Sequence, residues 1–141
     1  MAEIIKGKKL NMTQLFMDDG AVIPVTIIKA DNDIAAELEN KIVDIVGKSK
    51  GHGFSGGMKK WGFKGSMATR GQSDTPRSNG SVGSQTPGRV RKGKKMSGNF
   101  GNYQVTIKGV KILKVNSEQK EFMVSGPVPG ARNSLVKVTV L

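Results

Sequence analysis

The sequence predicts an all-β protein: a small Greek-key-like barrel built from N- and C-terminal segments, carrying a long irregular extension rich in Gly, Lys and Arg. Three observations predict it. Short β-branched runs of alternating polarity stand at both ends of the 141-residue chain. Between them, residues 47–102 hold 14 of the 19 glycines and 12 of the 23 basic residues, with Asp74 as the only acid. The length allows one hydrophobic core of ordinary size, which the split flanks must share.

The barrel elements follow in chain order. Thr13-Gln14-Leu15-Phe16-Met17 and Val22-Ile23-Pro24-Val25-Thr26-Ile27-Ile28 flank the turn Asp18-Asp19-Gly20, which predicts a hairpin. Pro24 lacks an amide hydrogen and so belongs at an edge or at a strand start. Asp33–Glu39 is the one helical stretch the pattern offers, two turns at most. Beyond the middle segment, Gln104–Lys108 and Lys111–Val115 read as alternating strands. Asn116-Ser117-Glu118 turns the chain into Glu121–Ser125, Gly126–Gly130 is a loop, and Ser134–Val140 is the closing strand. Evenly spaced short strands divided between the two ends of a chain fit a barrel that both ends complete. Residues 1–46 and 103–141 form this domain; residues 47–102 form the basic extension.

The extension cannot build a core alone. Its large apolar residues stand singly among Gly, Ser and Lys, so ordering it has to be offset by a partner. The formal charge of the whole chain is +12, and the middle carries +11 of it. The partner is therefore a polyanion, and the charge distribution points to nucleic acid.

Enzyme chemistry finds no footing. There is no cysteine, which excludes disulfides and thiolate sites. His52 is the only histidine and has no ligand or nucleophile partner in the sequence. Gly51-His52-Gly53-Phe54-Ser55-Gly56 spells a dinucleotide motif, but no strand–helix–strand unit or following acidic residue accompanies it. Glycines here let backbone amides approach phosphates instead. No apolar run reaches the ~20 residues of a membrane span, and Met1–Lys6 lacks the apolar core of a secretory signal. We expect no metal, no cofactor, no membrane and no small-molecule substrate.

Two clusters carry the RNA-binding expectation. Lys59-Lys60-Trp61-Gly62-Phe63-Lys64 interleaves aromatic rings with cations, which suits either base stacking beside phosphates or a small satellite apolar cluster. Arg89-Val90-Arg91-Lys92-Gly93-Lys94-Lys95 places five cations in an extended run between glycines, a geometry that tracks a phosphate backbone. Lys48, Lys50, His52, Phe54, Arg70, Arg77 and Gln85 complete the candidate RNA-binding residues.

These residues resemble a known family. Lys8-Lys9-Leu10-Asn11-Met12-Thr13-Gln14-Leu15-Phe16 is similar to the opening of the third large-subunit ribosomal protein family, bacterial type. The similarity resumes over Gly47–Phe54 and Trp61–Gly65, and is strongest over Gly80–Val90 and Lys92–Gly98. The resemblance implies a β-barrel on the large ribosomal subunit and an extension entering ribosomal RNA towards the peptidyl transferase region, with residues near 70–85 at its inner tip. It implies large-subunit ribosomal RNA and neighbouring large-subunit proteins as partners, a role in subunit assembly, and a place in the ribosome of the cytoplasm or of an organelle. A basic nucleic-acid-binding or protein-interaction module outside the ribosome is the alternative. Family members carry several dozen more residues between the first hairpin and the extension, so this chain is shortened internally. Ser84 occupies the place of a glutamine that bacterial members methylate, with Gln85 one residue on. Asn11 replaces a family glycine, a change that suits a left-handed backbone.

Overall fold

A computed structural model describes residues 4–141; the first three residues of the N-terminal stretch read for a signal lie outside the described residues. Eight strands run in order: β1 (Ile4–Phe16), β2 (Val22–Ala30), β3 (Ile42–Lys48), β4 (Phe54–Ser55), β5 (Gly98–Asn99), β6 (Gln104–Asn116), β7 (Glu121–Ser125) and β8 (Leu135–Val140). A five-residue helix, α1 (Gly57–Trp61), follows β4. The chain divides into two compact units: residues up to Lys50 with Asn102–Leu141, and Gly51–Gly101.

In the first unit, six strands close into a barrel in the order β1-β2-β7-β6-β3-β8, with every neighbouring pair antiparallel. The two ends of the chain make the closure. The first half of β1 pairs β8, from Ile4↔Thr139 to Lys8↔Leu135, and the other edge of β8 pairs β3. A barrel has no sheet edge to protect, so the shortened chain still satisfies its backbone. β-Branched residues point inward from the strands: Ile28, Val43, Ile45, Ile112, Val124 and Val138 are fully buried in one core with Phe122. Burying each such side chain contributes roughly 1.5–3 kcal/mol.

Ile34 and Leu38 plug one end of the barrel. They frame a 3₁₀ turn, Ala36–Leu38, where the sequence pattern predicts up to two α-helical turns over Asp33–Glu39. The stretch is too short to repay helix nucleation, and Asn40 stops it in a left-handed conformation (φ 64°). The loop after β7 closes the opposite end. Its Val128 is buried, and Lys9 Nζ donates to the carbonyls of Val128 (2.6 Å) and Gly130 (3.2 Å).

The structure departs from the sequence pattern at β6 and at Asn11, and Pro24 takes the second of its two expected places. Gln104–Lys108 and Lys111–Val115 are one strand, β6, bent by a bulge. Gly109 takes φ 71° there and donates its N–H to Asp44 Oδ1 at 3.0 Å. Pro24 lies at the start of β2, just before the ladder with β7 opens at Val25↔Ser125, and its carbonyl accepts the Gly126 N–H (2.9 Å). Asn11 is not left-handed; it lies in the β1 bulge between Lys9 and Met12.

Candidate nucleic-acid interface

The second unit, Gly51–Gly101, is mostly irregular backbone pinned at a few points. At its base the His52 N–H donates to the Phe100 carbonyl (2.8 Å) and the Phe100 N–H to the Gly53 carbonyl (2.9 Å). β4 and β5 continue this ladder for two residue pairs. The His52 and Phe100 rings stack at 5.1 Å, and Phe54 stands 76% exposed beside them. Sequence pattern does not single out Phe100, because an isolated Phe among glycines carries no periodic signal.

Helix α1 escapes the sequence pattern too. Its four non-glycine residues lie between Gly57 and Gly62, and the second glycine is the signal that could have revealed it. Gly62 adopts φ 73° and donates to the Met58 carbonyl, a left-handed helix stop with Lys59 and Lys60 in the last turn. Gly57 allows close packing: a β-carbon there would overlap the Asn79 side chain and meet the Phe63 ring. A β-carbon on Gly65 would likewise collide with the Pro76 carbonyl. Phe63 is half-buried with its ring against Gly57, and the Met58 side chain lies against Gly65.

Trp61 is 41% exposed, but its indole N–H donates to the Met96 carbonyl at 2.8 Å. That bond ties α1 to the segment following the 89–95 cation run.

Among the described residues, the cations of this unit spread over the surface without carboxylate partners. Lys59, Lys64, Arg70, Arg77, Arg89, Arg91, Lys92, Lys94 and Lys95 are exposed, and Lys60 is half-buried. Asp74 is the only carboxylate in this unit, and the one salt bridge among the described residues is Lys120–Asp33, on the barrel. Arg89–Lys95 forms no helix; a turn at Lys92–Gly93 brings the Lys94 N–H to the Arg91 carbonyl. Arg89, Arg91 and Lys94 line a concavity of about 210 Å³ with Val82, Ser84 and Pro87. Gln85 is exposed in the adjoining turn. Lys48 and Lys50 belong to the barrel unit, at and just after the end of β3, and are also exposed.

A unit such as Gly51–Gly101, with ten cations against one carboxylate on an irregular backbone, has the chemistry to bind a polyanion. The family model for ribosomal protein L3 matches residues 25–122. The chain belongs to the ribosomal protein L3 family. Its similarity to the large ribosomal subunit protein uL3 of Herpetosiphon aurantiacus is 32% identity over 200 positions, covering 96% of this chain and 94% of the relative. The Dehalococcoides mccartyi protein of the same name is 32% identical over 98% of both chains. The match to the Marinobacter nauticus protein is tighter, 52% over 94 residues, but spans 66% of this chain and 44% of that one.

An alignment of 200 positions exceeds the 141 residues of this L3 chain, so its relatives carry internal residues that it lacks. The six-stranded closure is what the shortened sequence forms without them. L3 proteins are structural rather than catalytic.

Proposed function

We propose that this L3-family chain is a component of the large ribosomal subunit that binds ribosomal RNA through residues 47–102. The barrel of residues 1–46 and 103–141 anchors it among neighbouring subunit proteins. The observation that carries the reading is the absence, among the described residues, of carboxylate partners for the ten cations of Gly51–Gly101. Cations left unpaired on a glycine-rich backbone repel one another until phosphates neutralise them. The relatives' name supplies the particle. The extension would order RNA helices during subunit assembly and support the peptidyl transferase region, where the reaction belongs to RNA.

Sedimentation of the tagged protein in cell extract, before and after a high-salt wash, tests this. Co-migration with the large subunit through the wash is expected, because phosphate contacts buried in folded RNA are shielded from screening. Release at modest salt, or a free protein peak, would overturn the ribosomal reading and favour a basic module acting elsewhere.

A further inference from the structure

Trp61 is the only tryptophan of the chain, and it gathers two cations distant in sequence. Lys60 Nζ stands 5.2 Å and Lys95 Nζ 5.6 Å from the centroid of its ring. The indole N–H bond to the Met96 carbonyl fixes the segment that carries Lys95 against the helix that carries Lys60. Lys60 Nζ also lies over Gly98, where a β-carbon would approach it to 3.1 Å. Two ammonium groups at one ring repel each other, and neither forms a salt bridge among the described residues. The ring quadrupole holds them in place, and it restricts side chains that otherwise lose much rotamer freedom on binding. Such an arrangement is preorganised for a shared anion.

We propose that Lys60, Trp61 and Lys95 form a seat for one phosphodiester of an RNA backbone, with Trp61 acting through the two lysines and not by stacking on a base. The proposal rests on the RNA-binding reading above and adds to it a defined phosphate site. Trp61 is thus a positioning residue. Its indole N–H is committed to the Met96 carbonyl and both lysines stand at its ring, which favours the positioning role over base stacking even though 41% of the residue stays exposed.

Two measurements test the seat in the full-length protein. The first titrates the intrinsic fluorescence of Trp61 with sodium pyrophosphate. A saturable emission change is expected in the wild type, and K60Q or K95Q should weaken it about tenfold, the order of a lost charged hydrogen bond. The second measures affinity for a large-subunit ribosomal RNA transcript across a salt series. K60Q and K95Q should each lower the slope of log affinity against log salt by up to about 0.9. The double variant should be little worse than either single one, since both lysines serve one phosphate. W61L should reproduce the lowered slope, and W61F, which keeps a ring, should retain most of the binding.

Loss of affinity in W61L with an unchanged salt slope would mean base stacking and sink the seat. So would K60Q and K95Q losses that simply multiply, or a pyrophosphate titration that leaves emission unchanged while the transcript still binds. If pyrophosphate titrates Trp61 but the transcript does not bind the wild type, the seat stands and the RNA reading fails.

Discussion

Lys9 shows how one side chain can be read correctly as a basic residue and still have its role decided by the fold. In the sequence it is one of two adjacent lysines before a hairpin. In the barrel it bends inward and caps the Val128 and Gly130 carbonyls at the barrel's end. Burial first, and the charge of Lys50 second, hold its ammonium below the usual lysine range. Replacing it in a Lys9→Met variant should cost about 2 kcal/mol in urea unfolding, the net worth of hydrogen bonds from a charged donor. The pH dependence has a definite sign. With the folded pKa lowered, the unfolded chain binds the proton more tightly, so this site's contribution improves as pH rises through the lowered value to the ordinary lysine range. The stability advantage of wild type over Lys9→Met should therefore widen with alkaline pH; a narrowing gap would contradict the burial of this amine. Trp61 makes the same point from the other side. Its position between Lys60 and Gly62 fits base stacking and internal packing equally, and only the bond to Met96, 35 residues away, separates them.

Elements are legible where local pattern and tertiary demand agree. The β1–β2 hairpin, β7 and β8 follow from alternation and turn residues, because register in a half-buried strand is set by which residues face the core. β6 reads as two strands from its sequence, since Gly109 looks like punctuation. In the barrel it is a bulge that keeps the strand continuous while turning it, with space around its α-carbon and a positive φ. A Gly109→Ala variant should therefore lose about 1 kcal/mol or somewhat more from the left-handed backbone alone, and Gly109→Asn less, as thermal or urea unfolding can show. The Arg89–Lys95 run is a different kind of element, defined by charge and not by packing. Changing Arg89, Arg91, Lys92, Lys94 and Lys95 to Gln should leave the melting temperature of the barrel nearly unchanged. It should also flatten the salt dependence of RNA binding by up to about 0.9 for each phosphate no longer neutralised. An unaltered slope would show that this run does not touch phosphates.

At the scale of the molecule, no barrel strand lies within Gly51–Gly101. The β3–β6 ladder runs to Lys48↔Gln104 and is extended by the Ser49 N–H bond to the Tyr103 carbonyl (2.9 Å). Joining Lys50 to Asn102 through a short Gly-containing turn should thus yield a cooperatively folding barrel with β-type circular dichroism. That shortened chain should have lost most of its affinity for ribosomal RNA at physiological salt, since removing the +9 of Gly51–Gly101 takes the formal charge from +12 to +3. Failure to fold would show that the barrel depends on the extension.

By itself the sequence determined the all-β class, the positions of most strands, the cationic character of residues 47–102 and the absence of catalytic groupings. Each of these is written in composition or in short-range periodicity, which need no knowledge of what lies across the core. Tertiary structure alone decided that six strands suffice for closure, that Asn11 sits in a bulge, that α1 forms in a glycine-rich stretch, and that Lys60 and Lys95 meet at one indole. Those features depend on contacts between residues far apart in the chain, and their energies exist only once the backbone has brought the partners together.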